Sequence, residues 1–197
     1  MLKHAFSRFF PTPALLSGTS FGLDISDESI KFIELILTGN GIRTGRHGER
    51  NIPSGVVEAG KIKDTKRMEE LLSLLRQEEG LKFVRVSLPE QQAYLYQFQL
   101  PKNGLKSVRE SIELSLEEHI PVPAEDAVFD YEIIREDEEN LEIQVAAIPQ
   151  NVITNYLAVF KNAHISVQSV ELEAQAIFRA VVKNGDLGTY MIVDFGE

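Results

Sequence analysis

Phe21-Gly-Leu-Asp-Ile25 and Ser29-Ile-Lys-Phe-Ile-Glu-Leu-Ile-Leu37, joined by Ser26-Asp27-Glu28 and followed by Thr38-Gly39-Asn40-Gly41, decide the fold. Both runs are rich in β-branched and aromatic residues, as strands are. Asn40-Gly41 is a tight-turn signal, because both residues tolerate positive φ, and the chain resumes as a strand from Ile42. The opening therefore reads as a β-meander. Further on, Asp64 is placed to cap a helix in which Met68, Leu71, Leu72 and Leu75 follow the i, i+3, i+4, i+7 spacing, with Gly80 as its stop. Phe83 to Leu88, closed by Pro89, is the next strand. Strands, a helix and a strand make an α/β core.

Between Gln91 and Ala163 a second unit is expected, in the order strand, helix, strand, strand, helix. Tyr94, Tyr96, Phe98 and Leu100 alternate onto one strand face, which reads as core packing rather than as a binding surface. Val108, Ile112 and Leu116 mark an amphipathic helix that stops before Pro121. Strands at Val128 to Arg135 and Leu141 to Ile148 flank the acidic turn Glu136 to Asn140. Asn151 is read as the cap of a helix reaching about Asn162, with Val152, Tyr156, Val159 and Phe160 turned inward. The first core resumes with a strand at Ile165 to Glu171, a helix from Glu173 to Lys183 and a strand at Tyr190 to Gly196. A strand placed so close to the last residue reads as the mark of a truncated chain. The expected divisions are a disordered leader at 1–20, a first core part at 21–90, an insert at 91–164 and a second core part at 165–197.

The 197 residues carry a net charge of −10 and no cysteine. That excludes disulfides, thiolate metal sites and a cysteine nucleophile. The acidic balance and scattered basic residues argue against a nucleic-acid partner, since phosphate contacts demand clustered cations. No run approaches the ~20 apolar residues of a membrane-spanning helix. Leu2, Ala5, Phe6, Phe9 and Phe10, with Lys3 and Arg8, also permit a second reading of the leader, as a short membrane-surface anchor. His4, His47, His119 and His164 have no ligand spacing, and Glu117-Glu118 and Glu136 to Glu139 read as a solvated helix end and a hairpin tip. P-loop and nucleophile-elbow motifs are absent from the sequence.

The chemistry concentrates in two segments of one form: an apolar strand, an Asp, an apolar residue and a small residue. They are Gly22-Leu-Asp24-Ile-Ser26-Asp27-Glu-Ser29-Ile-Lys31 and Ile192-Val-Asp194-Phe-Gly196. An Asp at each strand end can hold a hydrated cation, so Asp24 and Asp194 are candidate metal ligands, while the following turn aims N–H groups and hydroxyls at phosphate oxygens. Ser29 and Lys31 add a donor and a charge. The alternative is a polar hairpin turn held by local hydrogen bonds.

Gly22-Leu-Asp24-Ile-Ser26 followed by Ser29-Ile30-Lys31 and Glu34-Leu35 resembles the first phosphate motif of the actin-like ATPase superfamily, in the version found in the PilM family of type IV pilus assembly proteins. The resemblance continues through Pro53-Ser-Gly55-Val56, Gly60-Lys-Ile62, Ser87-Leu-Pro89, Leu100-Pro101, Ile120-Pro121-Val-Pro123, Phe129-Asp130-Tyr131, Val145-Ala-Ala147 and Val170-Glu-Leu-Glu173. It implies a truncated actin-like, ribonuclease-H-like subdomain 1A with subdomain 1C inserted after the strand at Val84 to Leu88. Asp24, Ser26, Asp27, Ser29 and Lys31 would form the first phosphate loop, and Asp194 with Gly196 would begin the second. ATP and Mg2+ would bind the complete protein, and this chain poorly, if at all: Ser26 stands where the commoner motif has Gly, so its Cβ crowds the phosphate approach, and the second loop is cut off after Glu197 with the half that would bind adenosine missing. The implied function is a cytoplasmic scaffold at the inner face of the inner membrane that captures the N-terminal tail of a PilN-like inner-membrane protein between 1A and 1C, with membrane contact through that partner. Catalysis is not expected of this chain, and self-association is left open. The alternatives are an FtsA-like filament-forming protein of cell division and a sugar or acetate kinase.

Overall fold

The computed structural model describes residues 20–38, 41–103, 107–183, 185–186 and 188–194. The meander is present: β1 (Phe21–Ile25) pairs antiparallel with β2 (Ser29–Thr38), and β2 with β3 (Gly41–Asn51). Thr38 lies opposite Gly41, whose φ is 123°; Asn40 of the expected turn lies outside the described residues. A small ribbon, β4 (Val57–Glu58) with β5 (Lys61–Ile62), leads into α1 (Thr65–Glu79). Helix α1 starts where the Asp64 carboxylate accepts from Arg67 N–H and stops where Gly80 takes a left-handed φ of 75°. Strand β6 (Phe83–Leu88) then runs parallel to β1, and β10 (Ser166–Leu172) parallel to β6. Among the described residues the large sheet has five strands in the order β10-β6-β1-β2-β3.

Alternation decides which face of this sheet is covered. Phe21, Leu23, Ile25, Ile30, Phe32, Val84 and Val86 point to one side and are buried with Met68, Leu72 and Leu75 of α1. Each fully buried side chain of this kind stabilises by about 1.5–3 kcal/mol. Glu34 is on the same side, and Arg46 meets it there with Nε 3.1 Å from Oε2 while its guanidinium stacks over the Phe21 ring. Gly48 is opposite Phe32, and a Cβ there would lie 2.9 Å from the ring. The other side presents Ile33, Leu35, Leu37 and Ile42 to a hollow of about 650 Å³.

The insert builds a second sheet, β7-β9-β8, from β7 (Tyr94–Pro101), β8 (Ala127–Glu136) and β9 (Asn140–Pro149), all antiparallel. Tyr94, where the insert's sheet begins, lies opposite Ala147, near where it ends. Helix α2 (Val108–His119), capped by Ser107, buries Ile112 and Leu116 against Ile143 and Val145. Tyr94, Tyr96, Phe98 and Leu100 pack against this core, as their alternation predicts. His119 stacks on Tyr96 with ring centroids 4.2 Å apart. The acidic tip is a structured turn: Asp137 Oδ1 accepts from the N–H groups of Glu139 and Asn140 at 2.9 and 2.7 Å.

Several sequence expectations need correction. Helix α3 (Gln150–Asn162) begins one residue before Asn151, with Pro149 at its cap position and no side-chain cap. Helix α3, expected as the closing helix of the insert, packs its buried face (Val152, Tyr156, Val159 and Phe160) in the larger core beside α1, not in the core of the small sheet. The Tyr156 hydroxyl donates to Gly60 C=O at 3.0 Å and Arg76 Nε donates to His164 C=O at 3.0 Å, which fixes α3 there. Helix α4 (Glu173–Val181) stops short of Lys183 and buries none of its residues. Tyr190 to Asp194 forms no strand: its apolar side chains are exposed and find no neighbouring strand to pair with among the described residues.

Candidate functional site

Strand β1 ends at Ile25, and the chain turns back at Ser26 to Glu28, leaving Asp24 and Lys31 as cross-strand neighbours on the face away from the core. Ser87, at the end of the adjacent β6, donates its hydroxyl to Asp24 Oδ1. The turn is held from within by Ser26: its Oγ accepts from Ser29 N–H at 3.0 Å, and its own N–H donates to Ser29 C=O at 2.9 Å. Ser29 is buried, so its hydroxyl supports the turn rather than facing solvent. Asp27 is turned to the β4–β5 ribbon, where its carboxylate accepts from Ala59 and Gly60 N–H at 2.7 and 2.9 Å. Of the expected phosphate-loop residues, Asp27 and Ser29 thus hold the loop's shape, whereas Asp24 and Lys31 face the cleft.

That cleft measures about 330 Å³ and is bordered by Asp24, Ser26, Lys31, Pro89, Glu173 and Asp194 among others. The two aspartates singled out in the sequence therefore come to one place, from chain segments far apart. Gly196 lies outside the described residues. Sequence reasoning missed Glu173, the first residue of α4. Burial raises its carboxyl above the ordinary glutamate range, the charges of Asp24, Asp194 and Glu90 raise it further, and Lys31 opposes them. The only available signal was its place directly after an apolar strand in Val170-Glu-Leu-Glu173. Among the described residues no three carboxylates or imidazoles converge closely enough to hold a metal ion unaided. The donors present, hard carboxylate oxygens beside an ammonium, suit a Mg2+ ion that keeps several waters and shares phosphate oxygens.

A second concavity, about 520 Å³, lies between the two sheets. Leu88, Val170 and Leu172 of the large sheet form one wall, and Val128, Ala146 and Ile148 of the small sheet form the other, with Asp130, Glu171 and Arg179 at its margin. Arg179 Nη2 pairs with Glu171 Oε1 at 2.5 Å.

Three antiparallel strands followed by two parallel ones, an inserted module after the fourth and an aspartate at the tip of the first strand define the actin-like ATPase fold. Within that class the family described as type IV pilus assembly protein PilM matches residues 22–188, and the chain belongs to it. Among solved structures it resembles the PilM-PilN type IV pilus biogenesis complex, with a TM-score of 0.72 at 22% identity over 81% of this chain and 49% of that one. It also resembles the cytoplasmic domain of EpsL, an inner membrane component of the type II secretion system of Vibrio cholerae, with a TM-score of 0.53 at 13% identity over 78% of this chain and 57% of that one. The chain thus spans about half the length of the structures it matches. Membership goes to pilus assembly rather than to the cell-division or kinase readings. Among the described residues no helix is long and apolar enough to cross a membrane.

Proposed function

We propose that this chain is the tail-receiving part of a type IV pilus assembly scaffold, which holds the cytoplasmic N-terminal segment of a PilN-like inner-membrane protein and so meets the membrane only through that partner. The supporting observation is the apolar groove between the two sheets, about 520 Å³ and open to solvent along Val128 and Val170. A short segment would bury a few apolar side chains there, and its main chain would find hydrogen-bonding groups on the bordering strands. The test is fluorescence polarisation with a synthetic peptide of that N-terminal segment, taken from the PilN-like protein of the same genome, and a scrambled control. Saturable binding in the micromolar range is expected, as is a loss of about tenfold or more in Val128→Asp and Val170→Asp, since either substitution sets a charge in the groove without opening the core. Absence of binding by the folded chain would sink the reading.

The cleft at Asp24 carries the second half of the proposal. In the longer protein it would hold ATP and Mg2+, with Asp24 and Asp194 toward the hydrated ion and Lys31 toward the phosphates; the bound group would supply charge neutralisation of the phosphate oxygens. Ser26 keeps its side chain inside the turn, so its hydroxyl is committed to Ser29 and Glu28 rather than to a ligand. These 197 residues span about half of the structures they match, so nucleotide affinity weaker than ~1 mM is expected of them by calorimetry. Tight binding would overturn that expectation.

A further inference from the structure

A two-residue hairpin tip ordinarily turns its N–H and C=O groups to water, but the tip at Ala59-Gly60 gives all four to protein. Glu58 pairs with Lys61 across it, and both central φ angles are positive, as a primed turn requires. The two N–H groups donate to the Asp27 carboxylate at 2.7 and 2.9 Å, which ties the tip to the turn after β1. Ala59 C=O accepts from Gln92 Nε2 at 2.7 Å, and Gly60 C=O accepts from the Tyr156 hydroxyl at 3.0 Å. Gln92 stands just before β7 and Tyr156 lies on α3, so the tip holds the chain both where it enters the insert and where it has left it. Alanine resists a φ of 47°, and such a conformation persists only where its surroundings over-determine it.

The insert joins the large body through two short connections, each marked by a proline. Pro89 and Pro149 have nearly the same backbone conformation, with φ of −63° and −57° and ψ of 132° in both. Proline holds its φ, so any change in the insert's angle falls on the residues around it. At the entry, Leu88 lines the groove while Pro89 packs on the tip, where a Cβ at Gly60 would lie 2.7 Å from its ring. Rotation at this point moves the wall at Val128, Ala146 and Ile148 against the wall at Val170 and Leu172. The groove's width is therefore set where the tip grips the entry strand.

We propose that the Ala59-Gly60 tip is a latch that fixes the angle of the insert, and with it the width of the groove. Asp27, Gln92 and Tyr156 are then positioning residues for tail capture, acting through the tip and touching no part of the tail. Only the role in capture rests on the function proposed above; the fixing of the insert stands without it.

The chain has no cysteine, so a pair of introduced cysteines takes spin labels at defined places. Leu74→Cys on α1 and Leu114→Cys on α2 are both exposed and lie one on each body. Double electron–electron resonance is expected to give one narrow distance distribution in the doubly labelled parent, widened about twofold in Asp27→Ala and in Gln92→Ala. Asp64→Ala, which weakens the α1 cap away from the tip, should leave the width unchanged. The synthetic N-terminal peptide is expected to bind Asp27→Ala about fivefold more weakly by fluorescence polarisation, because the groove holds its binding width for a smaller share of the time. Asp27→Asn keeps one acceptor oxygen and should fall between parent and Asp27→Ala in both measurements. A distribution as narrow in Asp27→Ala and Gln92→Ala as in the parent overturns the latch, and so does equal widening in Asp64→Ala. Widening with unchanged peptide affinity overturns the positioning role. If the parent fails to bind the peptide, the tail-capture reading falls, and the label distances still decide the latch.

Discussion

Tyr156 ties α3 to two other parts of the molecule, one through its ring and one through its hydroxyl. Its ring is buried beside α1, and its OH donates to Gly60 C=O across 96 positions of sequence. Burial holds that hydroxyl well above the ordinary phenol range, and the negative charges of Asp27 and Asp24 add to the effect. Tyr156→Phe is therefore expected to cost about 1–3 kcal/mol in urea unfolding, because a buried carbonyl loses its donor while the packing is kept. Glu173 works in the opposite sense. Its folded-state carboxyl binds a proton more tightly than the unfolded chain does, so stability falls as pH rises from the usual glutamate range through the raised value. Glu173→Gln removes this penalty; the variant should be slightly more stable than the parent near pH 7 and should lose that advantage near pH 4, as read by thermal melts at both. The side chain is only partly buried, so solvent screening keeps the effect small.

At the level of elements, the turn between β4 and β5 is tightly constrained backbone. Ala59 and Gly60 both have positive φ, 47° and 71°, and Asp27 gathers their two N–H groups. A Cβ at Gly60 would lie 2.7 Å from the Pro89 ring in a conformation that side chains already resist. Gly60→Ala is expected to destabilise by about 1–3 kcal/mol in denaturant unfolding, and Asp64→Ala by about 1 kcal/mol through loss of the α1 cap. The two sites also show what a sequence can carry. Asp64 and Gly80 were legible as the ends of α1 because capping is a local event, complete within a few residues. The role of Asp27 was not, because its partners are 32 and 33 residues away, and its local spacing is that of any polar turn. Asn151 misled for a related reason: it had the chemistry of a cap, but the chain entered the helix two residues earlier, from Pro149. Tyr190 to Asp194 has the composition of a strand, yet a strand exists only where another edge accepts it.

At the scale of the molecule the described residues form two buried clusters, one under the large sheet and one between α2 and the small sheet. Periodicity could show that both exist but not to which one α3 belongs, since an amphipathic helix announces a buried face and not its partner. Leu72→Ala in the first cluster and Ile143→Ala in the second should each cost about 2–5 kcal/mol. If the clusters open independently, hydrogen exchange will report Leu72→Ala in α1, α3 and β6 and Ile143→Ala in α2, β7 and β8; loss of protection everywhere in both variants would show a single cooperative unit. The placement of Asp24 and Asp194 in one cleft was legible from their shared local form, whereas the groove had no motif and emerged only when β8 and β10 were brought face to face. The pairing of Tyr94 with Ala147 has a further consequence. Because the insert leaves and rejoins the large body at adjacent points, it is a cassette: a short linker could replace it, or the equivalent stretch of another pilus system could be spliced in, without rethreading a strand of the large sheet. One recombination event could then renew one wall of the groove while the cleft at Asp24 is inherited unchanged.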